Sequence, residues 1–198
     1  MPTLKEVELY LTGIWLLLKQ DPGGFKYLDF TDRGAMRSFF AIVFALPAIG
    51  ISWYWLMLGH LALLPDGASV GIDFFLRVAM IEAMNWILPL VLAGILAWTL
   101  GIGERFSAIV ATTNWVTVPF TYLYAVLILL LMLLPAIAGL VAMIWLILML
   151  AMVFVYMRVM QMLCGGQLLT AATMTTVLLI PSILVTELLE RFLGITVG

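Results

Sequence analysis

The residue best suited to carry chemistry is a glutamate inside a long apolar segment. Glu82 follows Asp73 by nine positions, or about 13 Å along a helix, so its carboxyl is expected deep within that segment. Asn85 comes three residues later and shares the same helical face. A lone carboxylate among apolar side chains is costly unless it is neutral or hydrogen-bonded. The pattern predicts either a proton-linked or cation-coordinating carboxyl, or a hydrogen-bonded glutamate that holds helices together.

A short pattern that contains Asn85 recurs in the next apolar segment. The stretches 85–89 and 114–119 each place an Asn-Trp pair shortly before a proline. A proline inside a helix frees a backbone carbonyl, which asparagine, threonine or water can satisfy. Because the two segments are expected to run in opposite directions, the pattern indicates either a weak inverted repeat with a polar centre or a coincidence. We expect Asn114 to join Glu82 and Asn85 in any intramembrane polar site.

Two acid–base pairs stand near the ends of apolar segments. Asp73 precedes Arg77 by four residues, and Glu187 precedes Arg191 by the same spacing. This acid-first order puts each pair on one helical face and favours an ion pair. We expect both pairs to be structural.

Apolar helices must position these residues, because the composition is that of a helical membrane protein and of no other class. Of 198 residues, 65% are hydrophobic and 10% are charged, against about 25% charged in soluble domains. The mean hydropathy is +1.21. A soluble fold could not hide so much apolar surface, which excludes a soluble enzyme and a disordered chain. The net charge of −2 provides no basic field, so no nucleic-acid partner is expected.

The apolar segments predict an all-α, polytopic membrane bundle with five transmembrane helices. Each segment exceeds the roughly 20 residues that cross about 30 Å of hydrocarbon. The short connections make sequential helices antiparallel and leave no room for a soluble domain. The expected spans are, approximately, 38–60, 73–100, 107–134, 140–160 and 168–190.

The residues before the first span predict a separate interfacial region. The stretch 1–37 holds an amphipathic helix and a charged cytoplasmic connector, and 38–198 forms the transmembrane domain. The helix, at 4–19, begins with the capping-box pair Thr3 and Glu6. It is too short and too polar to span, so it is expected to lie in the membrane interface. The alternative is packing against the spans of the chain itself. The expected membrane anchors are Leu11, Trp15 and Leu18.

The distribution of lysine and arginine predicts the orientation. Arg77 and Arg191 fall on one side of the predicted bundle, and seven basic residues fall on the other. The seven are Lys5, Lys19, Lys26, Arg33, Arg37, Arg105 and Arg158. The N-terminus is therefore predicted to be cytoplasmic and the C-terminus periplasmic, in a bacterial inner membrane, which the compact chain favours.

The sequence offers no recognisable catalytic or metal-binding motif. His60 is the single histidine and Cys164 the single cysteine, so a His-rich or CxxC metal site cannot form within one chain. No HExxH, GxSxG or P-loop pattern occurs. We expect a protein that is not an enzyme and that has no cofactor, no metal and no catalytic residue.

Five spans, a cytoplasmic amphipathic segment and an outside C-terminus make the layout similar to that of the Yip1-type membrane proteins. This resemblance covers the arrangement of most of the chain. It implies a non-enzymatic integral membrane protein that works through helix contacts or bilayer organisation, and it transfers no site residues.

Two functional hypotheses follow from these features. The first is a scaffold or accessory subunit of a membrane complex, with the lipid bilayer and either other integral subunits or further copies of itself as partners. The alternative is a small proton- or cation-linked transporter or channel subunit centred on Glu82. Exchange of Glu82 for glutamine distinguishes them, because only the second hypothesis requires the carboxyl.

Overall fold

A computed structural model of the chain describes residues 2–65 and 67–195, and all regular secondary structure in these residues is helical. Short 3₁₀ turns precede α2, α5 and α6, at Pro22–Tyr27, Gly103–Arg105 and Pro135–Ile137. The seven α-helices of the described residues are α1 (Leu4–Leu18), α2 (Asp32–Ser38), α3 (Ala41–Ala62), α4 (Ile72–Thr99), α5 (Phe106–Leu133), α6 (Ala138–Leu163) and α7 (Leu168–Leu193).

Five helical segments are long and apolar enough to cross a membrane, as the sequence predicts. The first combines α2 and α3, and the other four correspond to α4, α5, α6 and α7 with their short turns. The all-helical class and the number of long apolar helices are thereby confirmed. The predicted ends of the last four segments agree with the structure to within about three residues, as expected from fraying at helix termini.

The charged connector before the first long helix is itself partly helical. The Thr31 side chain accepts a hydrogen bond from the Gly34 backbone N–H and caps α2, which begins six residues before the predicted span. Asp29 Oδ1 accepts from the Thr31 hydroxyl at 2.7 Å and orients that cap. Ser38, the predicted start of the span, is instead the last residue of α2.

The N-terminal helix begins at the predicted capping box and packs against the long helices. Thr3 and Glu6 exchange hydrogen bonds at its start. Its ring contact is with α5, where Tyr10 and Trp115 have centroids 5.0 Å apart. Gly13 allows the Pro22–Tyr27 turn to approach α1 closely, since a Cβ at Gly13 would lie 2.7 Å from the Gly24 carbonyl oxygen. The buried side chains of α1 therefore belong to the main hydrophobic core.

The three expected membrane anchors do not share one environment. Trp15 is 57% exposed and Leu11 is also exposed, whereas Leu18 is partly buried and packs against the core. Packing against α5 and the Pro22–Tyr27 turn divides the apolar face that the spacing predicts. One face of α1 therefore packs on the protein, and another face is exposed.

The long helices leave a gap between α4 and α5. The helix α4 packs mainly on α7, α3 packs mainly on α5, and α6 contacts both α5 and α7. Direct contact between α4 and α5 is small by comparison. The helices α4, α5, α6 and α7 therefore surround a space between them, and α4 and α5 do not pack closely enough to fill it.

Arginine side chains close the C-terminal ends of two helices. Arg105 Nη1 donates to the Leu163 carbonyl at 2.6 Å, and Arg77 Nη1 donates to the Leu193 carbonyl at 2.8 Å. Carbonyls in the last turn have no partner in their own helix, and a cation there also interacts favourably with the helix dipole. The helices α6 and α7 are joined by a short connection and pack together, so they run antiparallel. Their C-terminal ends, and with them the two arginine contacts, therefore lie at opposite ends of the bundle.

Candidate functional site

A cavity of about 240 Å³ lies between α4, α5, α6 and α7 and brings together the three predicted polar residues. Glu82 and Asn85 line it from α4, and Asn114 lines it from α5. Glu82 lies roughly 15 Å from the start of α4, so the cavity is well inside the bundle. The other lining residues are Trp86, Pro89, Leu90, Thr113, Thr117, Met152, Tyr156, Leu178, Leu179 and Ser182.

Helical spacing explains why these side chains converge. On α4, Glu82 is followed after three and four residues by Asn85 and Trp86, which places all three on one face. On α5, Asn114 and Thr117 have the same three-residue spacing. The helix-interior prolines of α4 and α5 follow these polar residues, as the repeated pattern predicts. The small contact area between α4 and α5 leaves the two polar faces separated by the cavity.

The Glu82 carboxyl has only neutral indole donors around it. Its Oε1 accepts a hydrogen bond from Trp86 Nε1 at 3.2 Å, and the buried indole N–H of Trp53, on α3, is a second donor close to the same carboxyl. No lysine, arginine or histidine is among the described residues that line the cavity. A carboxyl with only neutral donors and no cation nearby is suited to hold a proton or to bind a cation.

Asn85 connects the cavity wall to α7. Its Nδ2 donates to Thr186 Oγ1 at 2.8 Å, and the Thr186 hydroxyl lies 3.1 Å from Asn85 Oδ1. The hydroxyl also donates to the Ser182 carbonyl at 2.8 Å, within its own helix. These bonds fix the Asn85 side chain against the helix on which α4 mainly packs.

Asn114 connects the opposite wall to the short helix α2. Its Nδ2 donates to Ser38 Oγ at 2.8 Å, and both residues are only 2% exposed. Neighbouring Trp115 is equally buried and contacts Tyr10 of α1. The polar wall of α5 is thereby supported from behind by the N-terminal helices.

Hydroxyl groups complete the side of the cavity formed by α5 and α6. Thr117 Oγ1 and the Tyr156 hydroxyl are 2.9 Å apart and share a hydrogen bond. The Tyr156 hydroxyl also lies 3.5 Å from the Thr113 carbonyl. Thr113 Oγ1 is buried and has no hydrogen-bond partner among the described residues. A buried hydroxyl without a partner is uncommon and leaves a free donor and acceptor at the cavity wall.

Sequence analysis missed two residues that contribute to this site. Tyr156 is the one hydroxyl-bearing residue of α6, whose residues before it are all apolar, and that isolation is a signal that could have identified it. Thr186 follows Ser182 by four residues, so the two share a face of α7. No sequence pattern connects Thr186 with Asn85, because their contact depends on how α7 is rotated against α4.

The two acid–base pairs lie outside the cavity. Asp73 Oδ2 is 3.5 Å from Arg77 Nη2, and Glu187 contacts Arg191. All four side chains are substantially exposed, so each pair contributes little to stability. Neither pair lines the Glu82 cavity.

No protein-family model, curated protein or solved structure matches this chain. What the cavity can bind is therefore inferred from the residues that line it. No group of three histidine, cysteine, aspartate or glutamate residues capable of holding a metal occurs within 2–65 and 67–195. One carboxyl, two amides and several hydroxyls without a basic residue favour a small cation over an anion.

Proposed function

We propose that this chain is an integral membrane protein that binds a monovalent cation in exchange for a proton at Glu82 and moves both across the bilayer. The observation that carries the proposal is the polar cavity lined by Glu82, Asn85 and Asn114 among long apolar helices. Ionisable residues inside membrane bundles commonly mark proton and ion pathways. The role is non-enzymatic and requires no cofactor.

The exchange follows from the hydrogen bonds around the carboxyl. Without a bound cation Glu82 carries a proton, because neutral indole donors alone do not compensate a carboxylate at this depth. An entering cation displaces the proton, and the carboxylate then neutralises the cation. The Asn114 amide and the hydroxyls of Thr113 and Tyr156 supply neutral oxygen ligands. Tyr156 is the other titratable group among the described residues that line the cavity.

Membrane insertion places the N-terminus in the cytoplasm and the C-terminus in the periplasm of a bacterial inner membrane. Support comes from contacts that gather basic residues at one end of the bundle. Arg158 Nη2 donates to Gln20 just after α1, and Arg105 closes the end of α6. Arg37 forms an ion pair of 2.9 Å with Glu6 at the same end. A clustered positive charge at one end is typical of the cytoplasmic side.

The outward face of α1 lies in the membrane interface under this proposal. Leu4 is 80% exposed, and the exposed Leu11 and Trp15 continue its apolar surface. Lys19 Nζ lies 4.7 Å from the centre of the Trp15 ring, an arrangement suited to the headgroup layer. The helix therefore joins the bundle to the bilayer surface.

A second function, a scaffold or accessory subunit of a membrane complex, is favoured by the exposed surface of the N-terminal half of α6. From Leu140 to Leu150, Val141 is the one fully buried residue, so this stretch contacts little of its own chain. Either lipid, another integral subunit or a second copy of the chain would cover it. The Yip1-type resemblance favours the same role. Co-migration with larger proteins in a fixed ratio on a native gel would support this function, and migration alone would contradict it.

Proton-coupled exchange is tested in proteoliposomes that enclose a pH-sensitive dye. An inward gradient of sodium, potassium or tetramethylammonium should drive protons out and make the interior alkaline. Glu82→Gln should slow this response roughly tenfold or more, since it removes the exchanging carboxyl. Glu187→Gln is the matched control, because it removes an exposed carboxyl outside the cavity.

Two results would contradict the transport proposal. One is a wild-type protein that couples no tested cation to proton movement. The other is a Glu82→Gln protein whose response equals that of Glu187→Gln. Either result would leave Glu82 as a hydrogen-bonded contact between helices.

A further inference from the structure

A second, apolar space adjoins the Glu82 cavity. It is a groove of about 250 Å³ between α6 and α7. Met152, Leu179 and Ser182 line both the groove and the cavity, so the two spaces share a wall. Val153 and Ile183, which line the groove but not the cavity, are exposed on the outside of the bundle. The groove therefore connects the region of Glu82 with the lipid-facing surface.

The two spaces differ in the chemistry that they recognise. The cavity has one carboxyl and two aromatic rings, Trp86 and Tyr156, and no basic group among its described lining residues. A carboxylate with aromatic neighbours favours an ammonium group. The groove between α6 and α7 is lined mainly by methionine, valine, leucine and isoleucine side chains, which suit an alkyl chain.

We infer that the site takes amphipathic cations, with the ammonium group at Glu82 and the alkyl tail in the groove between α6 and α7. This inference rests on the proposed function and specifies its substrate class. Each space alone is smaller than the about 300–1,000 Å³ of typical small-molecule sites, and the two joined fall within that range. Such a ligand reaches the cavity sideways from the bilayer, past Met152 and Leu179.

Another apolar crevice, of about 340 Å³ between α2, α4 and α5, is less suited to hold the tail. Leu90 is its single lining residue in common with the cavity, and Leu90 is 4% exposed. A hydrogen bond of 2.7 Å between Ser107 and Asp32 spans its polar edge. Val91 lines this crevice and is exposed, which makes it the matched control position.

The test is binding to the whole protein in phosphatidylcholine nanodiscs, corrected for partitioning into empty nanodiscs. The probes are decyltrimethylammonium and tetramethylammonium, which share the head and differ in the tail. We expect the wild type to bind the decyl compound roughly tenfold more tightly, a gain equal to burying a few methylene groups. Val153→Trp and Ile183→Trp should each remove this preference by filling the groove, and Val91→Trp should retain it.

The outcomes separate this inference from the function on which it rests. A decyl preference that survives both groove variants, or that Val91→Trp removes, would overturn the placement of the tail. Tetramethylammonium binding that still depends on Glu82 would then leave the proposed function intact. If Glu82→Gln binds tetramethylammonium as the wild type does, the proposed function fails together with the inference.

Discussion

The Asn114 side-chain amide donates a hydrogen bond to Ser38 Oγ across 2.8 Å, which joins a residue of the polar cavity to the end of α2. Ser38 Oγ in turn donates to the Ala35 carbonyl at 2.6 Å, so its hydroxyl both accepts and donates. Because both residues are buried, this chain of hydrogen bonds holds the α5 wall of the cavity in place. The short helix before the first long helix is thus part of the support of the site.

Ser38→Ala should destabilise the protein by about 0.5–2 kcal/mol, since it leaves the buried Asn114 amide without its acceptor. The measurement is reversible unfolding in mixed micelles, followed by circular dichroism. Ser52→Ala is the control, because the Ser52 hydroxyl bonds only within its own helix, to the Ala48 carbonyl. Equal stability of the two variants would show that the bond between α2 and α5 contributes nothing.

Asn85 and Thr186 should be energetically coupled across the contact between α4 and α7. Alanine exchanges at both positions should give a coupling energy of about 0.6–1.7 kcal/mol in a double-mutant cycle, the range of interhelical hydrogen bonds in membranes. Thr173 offers a control cycle with Asn85, since its hydroxyl bonds to the Leu169 carbonyl within α7. Additive effects in the Asn85 and Thr186 cycle would contradict the observed pairing.

Acid should release the N-terminal helix through Glu6. Hydrogen bonds from the Thr3 backbone and side chain, assisted by Arg37, lower the pKa of the Glu6 carboxyl below its ordinary value of about 4.5. A lowered pKa stabilises the folded state above the ordinary value, and this stability is lost as the pH falls through the lowered value. Amide exchange over 4–18, corrected for its intrinsic pH dependence, should therefore accelerate below about pH 4.5.

The matched pair of variants for this prediction is Glu6→Gln and Glu8→Gln. Glu6→Gln should weaken protection of α1 at neutral pH and remove the acid-dependent loss, whereas Glu8→Gln should retain both features of the wild type. Glu8 is exposed on the same helix, and its side chain has no hydrogen bond to the described residues. An unchanged pH profile in Glu6→Gln would show that another group controls the release.

Cys164 should react slowly with thiol reagents. Burial raises the pKa of its thiol, and the positive charge of Arg105 offsets this only in part. The residue is 2% exposed, so both access and the thiolate fraction are low. N-ethylmaleimide at pH 8 should label it roughly tenfold more slowly than a cysteine placed at the exposed Gly103 in a Cys164→Ser background. Comparable labelling rates would contradict the burial of this turn.

The sequence was sufficient to predict features that depend on local spacing. The five long apolar helices, the Thr3 and Glu6 cap, and the shared face of Glu82 and Asn85 all follow from helical periodicity or composition. Asn114 was a candidate because of a repeated Asn-Trp pattern, for which coincidence was the alternative, and it lines one cavity with Glu82.

Features that depend on the order and rotation of helices could not be predicted in this way. The partners Ser38, Tyr156 and Thr186 lie on helices distant in sequence from the residues that they contact. The outward and inward faces of α1 likewise depend on its packing against Trp115, which buries Tyr10 and leaves other apolar positions exposed. Periodicity defines an apolar face and says nothing of which neighbour covers it.

The central claim is that the Glu82 carboxyl gives up a proton when a cation occupies its cavity. The most direct test counts protons released into weakly buffered solution as tetramethylammonium saturates the purified protein in nanodiscs. The account predicts about one proton per bound cation for the wild type and for Glu187→Gln, and none for Glu82→Gln. Binding without proton release in the wild type, or equal release by Glu82→Gln, would contradict it.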